Sequence, residues 1–231
     1  MAGKGKLYGV GVGPGDPELL TLKAARIIEN ADCIAAPNTG GKRRVALDIV
    51  ADHLHGQEIV DCSTPMTKDA SVLERAHDEV AERIAARLDQ GKTVAMITLG
   101  DPSVYSTFFY VFDRLNPRGY DIEIVPGVTS FCAAAAKLQT PLCEGDESLL
   151  VSSISGGNVD EALGVPANKV LMKPSKDLGP LREGLRAHGE DTQAALVTDV
   201  GMPNEQVFSH LADVTEPTGY FSLVIVRPPR H

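Results

Sequence analysis

An α/β fold in two domains is the architecture this sequence predicts, and three observations carry the expectation. Apolar runs of strand length alternate with helical patterns, three of those runs end in glycine- or proline-marked corners, and a turn-rich stretch divides the chain. The first run, residues 6–12, leads into a glycine-rich turn; a helix is expected over about 21–30 and a short strand over 33–35. The clearest helix follows. Ser71-Val72-Leu73-Glu74 has capping-box spacing, Leu73, Ala76, Val80, Ile84 and Leu88 form one apolar stripe, and Gly91 is placed to end it. Such a stripe is core packing. Leu115-Asn116-Pro117-Arg118-Gly119-Tyr120 reads as the link between domains, giving an amino-terminal domain at 1–117 and a carboxyl-terminal one at 118–231. Further strands are expected near 149–152, 169–172, 194–198 and 221–226.

The corners carry the chemistry. In Tyr8-Gly9-Val10-Gly11-Val12-Gly13-Pro14-Gly15-Asp16-Pro17-Glu18-Leu19-Leu20-Thr21 a buried strand turns into a helix start, the setting of nucleotide loops. Both phosphate motifs fail. Dinucleotide spacing counted from Gly9 ends at Pro14 and counted from Gly11 ends at Asp16, and no Lys followed by Ser or Thr completes a P-loop. An acidic side chain at the turn also disfavours pyrophosphate. A tight βα turn, with glycines at positive φ and Pro17 opening the helix, accounts for the segment as well as a ligand does. Two further corners favour the ligand. Met96-Ile97-Thr98-Leu99-Gly100-Asp101-Pro102 is an apolar run ending in Gly-Asp-Pro, and Ile124-Val125-Pro126-Gly127-Val128-Thr129-Ser130 leads through a Thr or Ser cap into an alanine-rich helix. Three corners at strand carboxyl ends imply a parallel sheet with a crevice lined by backbone.

With these residues in place the chain resembles, from end to end, the tetrapyrrole methylases, which use S-adenosylmethionine. Gly11 to Thr21 is shared across that family, whereas Leu99-Gly100-Asp101-Pro102 with Val104-Tyr105-Ser106-Thr107, and Asp199-Val200-Gly201-Met202-Pro203-Asn204-Glu205, are similar to the branch acting on carbon 20 of precorrin-2 or cobalt-factor II. The resemblance implies two α/β domains with the cofactor in a cleft between them and a homodimer. It implies that Pro14, Leu99, Gly100, Asp101, Val104, Thr129, Ser130, Met172, Gly201 and Ser222 bind the cofactor. Asp101, Tyr105 and Glu205 are the side chains to inspect as a base for the proton lost from the ring carbon, with water an equal alternative. Gly13, Asp16, Lys42, Arg43, Arg44 and Ser106 are the candidate substrate contacts. A sibling methyltransferase acting on another macrocycle position, or a noncatalytic nucleotide-binding module, are the competing readings.

Composition narrows the field. A net charge of -9 opposes nucleic-acid binding, which needs Lys and Arg against phosphate. The same charge would repel a polycarboxylate tetrapyrrole, so a local basic patch is required, with Lys42-Arg43-Arg44 the best candidate and Lys68, Lys173 and Lys176 lesser ones. No apolar run reaches membrane-spanning length and the first residues lack a signal-peptide core, so the expectation is a cytoplasmic protein with no membrane partner. The four cysteines show no paired spacing and read as reduced and structural. No metal site is expected.

Overall fold

The computed structural model describes residues 3–38, 44–65, 67 and 69–227. Two compact units divide the chain, Met1–Thr129 and Ser130–His231, each built on one five-stranded sheet.

The first unit is a parallel sheet. Its strands are β1 (Lys6–Gly11), β2 (Cys33–Asn38), β3 (Glu58–Ser63), β4 (Val94–Thr98) and β5 (Asp121–Val125), in the order β3-β2-β4-β1-β5. The helices are α1 (Leu22–Asn30), α2 (Val45–Ile49), α3 (Ala70–Leu88) and α4 (Phe108–Leu115). Alternation along β4 sorts them by face. Val94 and Met96 pack with Val80, Ile84 and Leu88 of α3 and with Phe108 and Val111 of α4. Ala95 and Ile97 pack on the other side with Ala24 and Ile28 of α1 and Ala46 and Ile49 of α2. The helix that follows β1 therefore lies on the opposite face from the helix that follows β4, although β1 and β4 are neighbours paired Leu7 to Val94 through Gly11 to Thr98. Their outgoing loops diverge, which makes the carboxyl ends of these two strands a switch point where a crevice can open.

Two expectations shift. α3 begins at Ala70, and its cap is Asp69, whose Oδ1 accepts from Ser71 N at 2.9 Å and Val72 N at 3.3 Å. The capping-box reading of Ser71 and Glu74 is thus replaced, since Asp caps as well as Ser and stands earlier. The domain boundary also moves. The turn over Asn116–Arg118 is present, with Gly119 at φ 74°, but it feeds β5, which pairs in parallel with β1 from Lys6 opposite Asp121 to Val10 opposite Val125. Both a linker and a tight αβ turn use Asn, Pro and Gly, so the division falls after Thr129 and not after Pro117.

The second unit carries a mixed sheet of β6 (Leu149–Ser153), β7 (Asn168–Met172), β8 (Ala194–Thr198), β9 (Gln206–Phe208) and β10 (Ser222–Val226), ordered β6-β7-β10-β8-β9. β6 and β7 are parallel, while β10 runs antiparallel to β7 and β8 and sets the ends of β7 and β8 beside its own start. Helices α5 (Ser130–Lys137), α6 (Val159–Leu163) and α7 (Gly179–Ala187) complete it. Its core joins Leu163, Leu181 and Leu185 to Leu171, Leu196, Val224 and Val226. Inside that unit Lys169, 1% exposed, is held by Glu190 Oε1 at 2.6 Å and Ala167 O at 3.1 Å, a buried charge with its partners.

Candidate active site

Backbone hydrogen bonds join the first two corners of the first unit, and the third lies in close contact with both. Val12 N donates to Thr98 O at 3.0 Å, Gly100 N to Gly13 O at 2.7 Å, and Gly13 N back to Gly100 O at 3.3 Å, an isolated antiparallel bridge beyond the ends of β1 and β4. Gly11 and Gly127 are required by close approach. A Cβ on Gly127 would stand 2.3 Å from Gly100 O, and one on Gly11 2.6 Å from the same oxygen and from Gly127 N. Gly100 answers a different demand: its φ is 72°, and a Cβ there would meet nothing within 4 Å, so the corner presents bare backbone to open space. Gly11 and Gly127 stand in the quoted motifs, but nothing local marked them as mutual contacts.

Asp101 pins the second corner to the third. Its Oδ2 accepts from Gly127 N at 2.9 Å and its Oδ1 from Ser103 N at 2.8 Å, with the Ser103 hydroxyl as a third donor. Burial pushes this carboxyl upward, but the three hydrogen bonds to its ionised form outweigh that and hold it below the usual carboxylate range. Ser106 Oγ lies 2.9 Å from Thr98 Oγ1 and accepts from Phe108 N at 3.1 Å, tying the start of α4 to the end of β4. Tyr105 is half-exposed with φ 48°. Asp16 caps the 3-10 turn Pro17–Leu19 through Glu18 N at 2.9 Å, and Pro14 is buried.

Thr129 departs from the expected capping role in an informative way. Its Oγ1 is buried and has no hydrogen-bond partner. Buried hydroxyls are rarely left so, and this one can donate to or accept from a ligand group. With the bare backbone at Gly100, it fits these corners to a small polar ligand bound largely through main chain.

In the second unit, Gly201 has φ 76° in the loop after β8, where its N–H donates to Glu205 Oε2 at 2.7 Å. Ser222 is buried at the start of β10 and spends its hydroxyl on Gly219 O at 2.7 Å. Met172 ends β7, half-buried and paired with Leu223. Lys173, at φ 54°, carries its ammonium 5.5 Å from the Tyr220 ring centroid, and Lys176 is exposed.

The basic segment is only partly placed. Lys42, Arg43 and Lys68 lie outside the described residues. Arg44 Nη2 is committed to Asp61 Oδ1 at 3.2 Å and Ala36 O at 3.3 Å, because β2 and β3 are paired beside it. In this geometry Arg44 spends its charge on the protein. A cavity of about 620 Å³ beside α1, lined by Tyr8, Lys23, Arg26 and Glu123 among others, lies away from the corners. Its lysine is matched by Glu123, which Lys23 and then Lys6 hold down to about 2. Among the described residues no group of three or more His, Cys, Asp and Glu is placed to hold a metal ion, and no helix is long and apolar enough to cross a membrane.

A parallel sheet with glycine corners at its switch point, followed by a mixed sheet, defines the class, and the chain belongs to the tetrapyrrole (corrin/porphyrin) methylases, whose family model matches residues 6–215. It is 37% identical over 228 residues to the cobalt-precorrin-2 C(20)-methyltransferase of Salmonella typhimurium, covering 96% of each chain. It is 32% identical over 235 residues to the precorrin-2 C(20)-methyltransferase of a Sinorhizobium species, covering 97% of this chain and 96% of that one. Among solved structures, a uroporphyrin-III C-methyltransferase of Thermus thermophilus in complex with S-adenosylhomocysteine superposes with a TM-score of 0.70 at 25% identity, over 96% of this chain and 92% of that chain.

Proposed function

We propose that the chain transfers the methyl group of S-adenosylmethionine to carbon 20 of precorrin-2, with the cobalt-bearing form as the preferred acceptor. One observation carries the reading: both full-length relatives above are named for carbon 20, and the more similar of them for the cobalt form. In the reaction the sulfonium C–S bond breaks as the new C–C bond forms, sulfur keeps the electron pair, and carbon 20 then sheds a proton. Bound S-adenosylmethionine supplies the electrophilic methyl group, and alignment is what the protein adds, an effect on the order of 7–11 kcal/mol at best.

Each corner has a part in that alignment. Pro14, Leu99, Gly100 and Val104 form the backbone-rich floor, Thr129 and Ser130 supply hydroxyls, and Met172, Gly201 and Ser222 are the contacts from the second unit. Asp101 is a staple. It already accepts three hydrogen bonds and is held ionised, so it is a poor proton acceptor. Glu205 is also held below the usual range: burial raises its carboxyl, and the Gly201 N–H and Lys137 more than offset this. With the oxygens of both carboxylates taken up by the protein, the half-exposed Tyr105 and water remain as the candidate proton acceptors. Gly13, Asp16 and Ser106 shape the floor, and Lys42 and Arg43 are the proposed carboxylate contacts. A cytoplasmic homodimer belongs to the same reading and rests on family resemblance; light scattering tests the assembly.

Calorimetry with S-adenosylhomocysteine against ATP tests the donor, and turnover of labelled S-adenosylmethionine with precorrin-2 and with its cobalt form tests the acceptor. The expected result is saturable binding of S-adenosylhomocysteine only, with faster turnover of the cobalt form. Binding of ATP instead would replace the enzyme reading by a nucleotide-binding module.

A further inference from the structure

Glu205 stands among the candidate bases, but its surroundings give it another task. β8 ends at Thr198, and residues 199–205 form a loop whose backbone is twice left-handed, at Asp199 with φ 48° and at Gly201 with φ 76°. Internal bonds hold this path: Met202 N donates to Asp199 O at 2.9 Å, Glu205 N to Met202 O at 3.0 Å, and Asn204 Nδ2 to Asp199 Oδ2 at 2.7 Å. The Asp199 N–H is taken by Phe221 O at 2.8 Å, next to the start of β10. Glu205 closes the loop on itself and fastens it to a helix. Its Oε2 accepts from Gly201 N at 2.7 Å, and its Oε1 lies 3.0 Å from Lys137 Nζ in the last turn of α5. The loop is also a wall. Asp199 and Asn204 line, with Thr198, Phe208 and Thr218, an open hollow of about 450 Å³ in the second unit, which Gly201 and Ser130 do not line.

We propose that Glu205 is a positioning residue for the methyl donor: it holds Gly201 in its left-handed conformation and locks the 199–205 loop to α5, the helix that opens at Ser130. The inference rests on the donor reading above, in which Ser130 and Gly201 both contact S-adenosylmethionine. Both carboxylate oxygens are used in holding the loop, so Glu205 acts through Gly201 and the loop without taking the proton of carbon 20. Gln can keep the acceptor for Gly201 N–H while losing the charge on Lys137; Ala loses both.

Calorimetry and steady-state kinetics on E205A, E205Q and K137M distinguish the roles. The inference predicts that E205A weakens S-adenosylhomocysteine roughly five- to a hundredfold. It predicts a smaller loss in E205Q and K137M, a rise in donor KM larger than any fall in kcat, and no change in the pH dependence of kcat. Rescue by Gln is what a base would not show. Loss of kcat in E205Q together with loss of a limb of the pH profile would overturn the inference in favour of a base. Wild-type donor affinity in a folded E205A would overturn it in favour of a loop remote from the site, and K137M and E205Q supply the comparison should E205A not fold. A wild-type protein that binds no S-adenosylhomocysteine would overturn the donor reading itself, before any variant is made.

Discussion

A carboxylate that accepts hydrogen bonds from Gly127 N, Ser103 N and the Ser103 hydroxyl gains more from staying ionised than from taking a proton, and Asp101 is placed that way. Removing it leaves the Gly127 N–H without its acceptor and unpins the third corner from the second. D101A is therefore expected to weaken S-adenosylhomocysteine through geometry, and T129V through loss of a hydroxyl that the protein itself leaves unpartnered. Each loss is about 1–3 kcal/mol, roughly five- to a hundredfold in affinity, read by calorimetry with circular dichroism to confirm folding. Unchanged affinity in both would place the donor elsewhere. The type of each residue was legible from the motifs; its partners were not. Gly-Asp-Pro announces a turn, but the pairing of Asp101 with Gly127 depends on two strand ends meeting across β1, which no local spacing encodes.

Elements with a complete pattern were read correctly, and those with half a pattern were missed or misjoined. β8 matches its expected bounds, and Val80, Ile84 and Leu88 of the α3 stripe pack in the core while Leu73 and Ala76 at its start are only partly buried, since burial on one face writes a period into the sequence. β3 and β9 are edge strands, partly exposed, and carry weak signals; β9 has only three residues. β3 also begins at Glu58, the centre of a charge network with Arg87 and Lys92. Glu58 accepts from Lys92 Nζ at 2.9 Å and from Arg87 Nη2 at 2.6 Å, and Lys92, then Arg87, then the Cys33 thiol hold it down to about 2 from an ordinary 4.5. A carboxylate whose folded value is depressed contributes stability above its unfolded value and loses it as pH falls through the folded one. Stability from this site should thus be full above about pH 5 and decline between 4.5 and about 2. Salt weakens an exposed network of this kind. Denaturant midpoints measured across that window should fall less steeply in E58Q than in wild type; parallel curves would show that the network contributes nothing.

At the scale of the whole molecule the chain carries a net charge of -9 and yet is assigned a polycarboxylate substrate. The conflict is sharpened by Arg44, which is spent on Asp61, and leaves Lys42 and Arg43 as the proposed cations. The double variant K42A/R43A should raise the tetrapyrrole KM, most at low salt, with donor affinity nearly unchanged. Wild-type KM at low ionic strength would move the search to Lys173 and Lys176. Two α/β units were legible because strand and helix patterns run the length of the chain; their boundary was not, because β5 is recognised as part of the first sheet only by its pairing with β1. The central claim is the position of the new carbon–carbon bond. It is tested by incubating the protein with S-adenosylmethionine labelled with carbon-13 in the methyl group and cobalt-bearing precorrin-2, then locating the label in the product by NMR. One labelled methyl on carbon 20 is the predicted result; a label on another ring carbon, or an unlabelled macrocycle, would contradict it.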